Sequence, residues 1–110
     1  MDGLISFGNN RTYDEFKKQI SPEILPIFDL LRNFCYSLGK NVVEHVRLHR
    51  IVFSKSITFR WFADLEPQQD CILVKIQRDR KKPQEIFQVF TEEDTDKLKK
   101  SLEYAFNTIH

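Results

Sequence analysis

The chain is predicted to fold as α+β: an antiparallel meander of about five strands with two or three helices packed on one face. Three observations predict it. Apolar residues recur at spacings of three and four from Ile24 to Leu38, the spacing changes to two between Asn41 and Phe90, and it returns to three and four from Leu98 to Ile109. Long helices at both ends of a run of short strands cover one sheet face and leave the other open.

The 110 residues suit one domain, over 12–110, preceded by an arm at 1–11 that contains Gly3 and Gly8 and shows no clear period. An apolar fraction of 41% with ten Phe argues for a packed core. No stretch approaches the roughly 18 apolar residues of a membrane span, and Asp2 with Asn9 and Asn10 is wrong for a signal peptide. Cys35 and Cys71 each sit in an apolar run, so both are expected as reduced core residues of a cytoplasmic protein.

Taken in order, Thr12-Tyr13-Asp14-Glu15 matches a capping box and starts a short helix to about Lys18. Ser21-Pro22 is a second start signal, though Pro26 moves the true start toward Leu25. The stripe Ile24, Ile27, Phe28, Leu31, Phe34, Cys35 and Leu38 then makes an amphipathic helix that Gly39 ends. Strands are expected at about 42–46, 50–54, 56–63, 71–77 and 86–90, with 64–70 and 79–83 as polar connections. Thr91 to Asp94 repeats the capping arrangement with Asp in place of Glu, and opens a last helix to about Thr108 with the stripe Leu98, Leu102, Ala105, Phe106 and Ile109.

Net charge is only +1, but residues 40–82 hold ten Lys or Arg against five Asp or Glu. Screening acts over ~8 Å at physiological salt, so a local cationic patch can act within a nearly neutral molecule. The stretch "HRIVFSKSITFRWF" points to where it would sit. If Ile51, Phe53, Ile57, Phe59 and Trp61 face inward around a three-residue loop at 54–56, Arg50 opposes Arg60 on the outer face. With Ile72, Val74 and Ile76 inward, that open face carries Arg50, Val52, Thr58, Arg60, Phe62, Leu73 and Lys75, flanked by Lys55 and by Arg78, Arg80, Lys81 and Lys82.

Cations beside aromatic rings suit a single-stranded nucleic acid or another acidic partner, since bases stack on rings while cations meet phosphates. The expected binding residues are therefore Arg50, Lys55, Thr58, Arg60, Phe62, Lys75, Arg78 and Arg80. Two alternatives stand beside this. Glu44, Asp64, Glu66 or Asp79 could neutralise the arginines, or a second protomer could cover Phe62 and Leu73 and make the face a homodimer or protein interface.

Catalytic chemistries find little support. His45 and His49 would lie about 13 Å apart on a strand, too far for one metal ion. "DCILVK" offers Asp70 and Lys75 of a nuclease core, but Leu73 occupies the position of the second acid. Three scattered glycines make no phosphate loop. A non-enzymatic binding module without cofactor or metal is the expectation.

The order of elements in "ILPIFDLLRNFCYSLGKNVVEHVRLHRIVFSKSITFRWF", "CILVKI" and "FTEEDTDKLKKSLEYAF" resembles the family known as domain of unknown function 5655, from Tyr13 onward. The resemblance implies a long helix ending near a Gly, an aromatic strand and a closing helix behind an acidic segment, with Lys55 as the Lys of "IVFSK". It implies no catalytic residue. Some members look like tails of predicted nucleases, which implies a nucleic-acid accessory role. Here the Gly after Lys55 is absent, and "LEPQQD" is acidic where the family is basic.

Overall fold

A computed structural model describes residues 11–79 and 81–109. The arm expected at 1–11 therefore lies outside the described residues except for Arg11, and so does Arg80. Five strands, β1 (Val43–Val46), β2 (Ile51–Ser54), β3 (Trp61–Pro67), β4 (Ile72–Ile76) and β5 (Glu85–Val89), form one antiparallel sheet in sequence order. Three helices, α1 (Tyr13–Phe16), α2 (Leu25–Ser37) and α3 (Glu92–Thr108), complete an α+β meander.

The helix ends follow their local chemistry. Thr12 Oγ1 accepts from the Glu15 amide at 3.1 Å and caps α1, which tightens into a 3-10 turn over Lys17–Gln19. Ser21 does not cap α2: its hydroxyl donates to the Gln69 carbonyl, while its own carbonyl takes the amides of Ile24 and Leu25. Pro26 sits in the first helical turn, where a missing amide costs nothing. At α3 the capping box is complete, with the Asp94 amide on Thr91 Oγ1 and the Thr91 amide on Asp94 Oδ2.

One face of the sheet is the core. Ile51 and Phe53 of β2, Ala63 and Leu65 of β3, and Ile72, Val74 and Ile76 of β4 are fully enclosed, and Phe28, Leu31 and Cys35 of α2 and Leu98, Leu102 and Ala105 of α3 belong to the same cluster. Burial on this scale, at about 25 cal/mol per Å² of apolar surface, is what holds a domain of this size together.

The third strand departs from expectation. The register pairs Phe53 with Ala63 and Ile51 with Leu65, then shifts so that Ser54 meets Trp61, which leaves Phe62 as the extra residue of a β-bulge. Strand β3 therefore starts at Trp61 and runs to Pro67, through residues expected to be a polar connection. The Asp64 and Glu66 side chains occupy its outer face while Ala63 and Leu65 fill the core. A β-bulge sets two successive side chains against one partner and bends the strand. Accordingly Phe62 is fully buried, its ring edge-on to Phe106 of α3 at 5.4 Å, and it is not on the open face.

Candidate functional site

The expected opposition of Arg50 and Arg60 does not occur. Arg50 stands at the start of β2, where its guanidinium meets Asp64 Oδ2 at 3.2 Å and Glu66 Oε1 at 3.0 Å. Residues 55–60 form a loop rather than strand, so Arg60 and Thr58 project from the end of the sheet and not from its face. Ile57, expected in the core, is 85% exposed, and Phe59 is also surface-exposed. Lys75 is outward as expected, but its neighbours across the strands are Asp64 and Ile86.

The open face is thus an ionic row, not a cationic surface. Asp64 is largely buried there, and loss of hydration raises its pKa despite Arg50 beside it. His45, on edge strand β1 opposite Val52, has its pKa lowered by burial and then by Arg47. A second cation is consumed on the helix side, where Arg32 forks onto Glu44 and lies 3.9 Å from the Tyr13 ring centre, with Tyr36 donating to the same carboxylate.

The remaining cations gather at one end of the sheet. Antiparallel pairing places the β2–β3 loop and the β4–β5 loop together, because Phe62 accepts the Gln77 amide where β3 begins and β4 ends. The last turns of α3 tie both loops down. Lys55 Nζ lies 4.9 Å from the Phe106 ring centre and 5.4 Å from that of Phe59, while Arg78 Cζ lies 5.0 Å from that of Tyr104. Thr108 Oγ1 donates to the Arg78 carbonyl at 2.9 Å. Gly39 lets Phe106 approach this closely, since a Cβ at Gly39 would lie 2.5 Å from its Cζ.

Among the described residues, the two loops carry Lys55, Arg60, Arg78, Lys81 and Lys82 against only Asp79, with Glu85 opening β5 beside them. The last turn of α3 has no basic residue of its own, so Lys55 and Arg78 also stand near the negative end of its dipole. Rings attract cations without cancelling their charge, which leaves the field of Lys55 available to a partner, while Arg78 also pairs with Glu85 at 2.9 Å. Of the eight residues the sequence singled out, Lys55, Thr58, Arg60 and Arg78 lie in the two loops at this end of the sheet. Arg50 and Lys75 lie on the ionic face, Phe62 is in the core, and Arg80 is outside the described residues.

Sequence reasoning missed Tyr104 and placed Phe106 only in the core stripe. Their role depends on where the end of α3 lands against the sheet, which the helical period does not encode. No family model, curated protein or solved structure matches the chain.

Proposed function

We propose that this chain is a non-enzymatic binding module for an extended polyanion, best met by a single-stranded nucleic acid, at the loop end of its sheet. One observation carries the reading: Lys55 lies beside the exposed ring of Phe59 and Arg78 beside that of Tyr104, with Arg60 exposed in the same loop as Lys55. Guanidinium and ammonium groups meet phosphates while rings take bases, a combination that binds single strands without needing a sequence code. Buried free thiols at Cys35 and Cys71 suit a reducing, cytoplasmic setting, and among the described residues no helix is long and apolar enough to cross a membrane.

The test is binding of a labelled single-stranded oligonucleotide over a salt series. Displacement of counterions predicts a steep linear fall of log affinity with log salt. A flat response, or no binding at low salt, would exclude the reading.

Ile57, 85% exposed at the tip of the β2–β3 loop, favours a second reading. In it Ile57 and Phe59, both exposed in this loop, form a contact for a second copy or another protein, since contiguous exposed apolar surface marks association sites. Sedimentation over a concentration series separates the two: a monomer at the highest concentration counts against self-association.

A further inference from the structure

Beside Arg78 the β4–β5 loop and the end of α3 enclose a cleft of about 370 Å³, lined by Arg78, Asp79, Lys82, Tyr104 and Thr108. That volume falls in the range of small-ligand sites. Its walls are braced: Thr108 holds the Arg78 carbonyl, Gln77 Nε2 donates to the Asp79 carbonyl at 2.7 Å, and Asp79 Oδ1 accepts the Lys81 amide at 3.2 Å. Asp79 is therefore turned toward its own loop, and Thr108 spends its hydroxyl on backbone carbonyls.

Arg78 is positioned by one carboxylate and one ring. Its Nη2 is 2.9 Å from Glu85 Oε1, yet off hydrogen-bond alignment, and neither Glu85 Oε1 nor the buried Arg78 Nε has a hydrogen-bond partner among the described residues. The buried Nε is closed off from the cleft, but the Arg78 side chain that lines it is about one-third exposed and has a single carboxylate partner among the described residues. Lys82 lines the same cleft and makes no ion pair among the described residues. Tyr104, half-exposed, adds a ring at the rim.

We infer that this cleft takes the phosphomonoester of a nucleotide, with the phosphate on Arg78 and Lys82 and the base along Tyr104. An oxyanion meets the exposed part of the Arg78 side chain, and its charge answers the two cations. The inference rests on the polyanion reading for its ligand class and adds that the site selects a phosphate end. The nucleotide is either free or the terminus of a strand, and the two sources share this chemistry.

Calorimetric titration of the full chain tests it with adenosine, adenosine 5′-monophosphate, and a short single-stranded oligoadenylate with and without a 5′-phosphate. The monophosphate is expected to bind about tenfold or more tighter than adenosine, the scale of one charge-assisted hydrogen bond. Arg78→Lys keeps the charge but removes the planar donor and is expected to erase that ratio, its fold checked by an unchanged melting curve. A preference for the 5′-phosphorylated strand assigns the site to strand ends, and binding of the monophosphate alone assigns it to free nucleotide. Equal binding of adenosine and its monophosphate overturns the inference without any variant, as does an Arg78→Lys protein that keeps the ratio. A strand bound in a salt-dependent way with no phosphate preference sinks the cleft but spares the broader reading. Monophosphate binding without strand binding does the reverse.

Discussion

Arg50 and Arg78 stand near opposite ends of one sheet and are held in different ways. Arg50 meets two carboxylates on the neighbouring strand, Asp64 and Glu66. Arg78 meets a single carboxylate out of alignment and lies over the Tyr104 ring. On a strand, a cation has cross-strand neighbours at fixed spacing, and a carboxylate there cancels it. In a loop braced by a helix end, a ring can orient the cation and leave its charge for something else. Location on the sheet face therefore matters less than the chemistry of the nearest neighbour.

Phe62 gives the largest expected effect, because it underlies the whole loop end. Phe62→Ala removes a fully buried ring from contact with Phe106, which in turn carries Lys55, and is expected to cost about 3–5 kcal/mol. Urea unfolding measures it. A midpoint equal to the wild type would return Phe62 to the surface and dissolve the distinction between the two ends.

Next in size is Arg50→Met, which leaves the largely buried Asp64 without this cation and with an oxygen that already lacks a partner. The expected cost is about 2 kcal/mol by the same unfolding measurement, and Arg50→Met combined with Asp64→Leu should recover most of it, since paired apolar replacements remove the uncompensated charge. Loss of oligonucleotide binding in Arg50→Met with the fold intact would show that the carboxylates do not cancel this cation.

Most of the fold was legible in the sequence, and the reason for the one large miss is physical. Helical stripes and caps at Thr12 and Thr91 located the helices, and alternation located β1, β2, β4 and β5 to within a residue or two. The third strand was displaced because "ADLEP" looks like a connection when its acids are read alone, although Ala63 and Leu65 alternate with Asp64 and Glu66 as a strand should. Arg50 makes that strand tolerable by pairing its carboxylates. Once β3 slides to 61–67, "SKSITF" must become a loop, and every parity argument built on Arg60 and Phe62 fails together. The candidate site was legible only as a charge excess around 55–82. Which of those cations would meet rings depended on the packing of α3, a contact between distant parts of the chain.

A pH series gives a smaller effect and separates two carboxylates of opposite sign. Asp64 has a folded pKa raised above 3.8, first by burial, so its ionisation opposes folding: stability relative to Asp64→Asn is expected to fall as pH rises from 3.8 through the raised value. Asp94 has a folded pKa lowered by the amides of Phe90 and Thr91. Its contribution is full above 3.8 and is lost as pH falls through the lower value, so the gap in melting temperature between wild type and Asp94→Ala should narrow in acid. Parallel trends for the two variants would contradict the different surroundings assigned to them.

Neutralising the loop cations should touch stability least and the comparison most directly. Lys55→Gln with Arg60→Gln removes two charges, one resting on the Phe59 and Phe106 rings and one exposed, so unfolding free energy should shift by no more than about 1 kcal/mol. Removing one cation that neutralises a phosphate lowers the salt slope of strand binding by about 1, so the double variant is expected to show a slope smaller by about 2. Arg50→Gln, which removes a cation already answered by Asp64 and Glu66, should leave the slope unchanged. Equal slopes in all three proteins would mean that the loop cations meet no phosphates, and a reduction confined to Arg50→Gln would move the interface back to the sheet face.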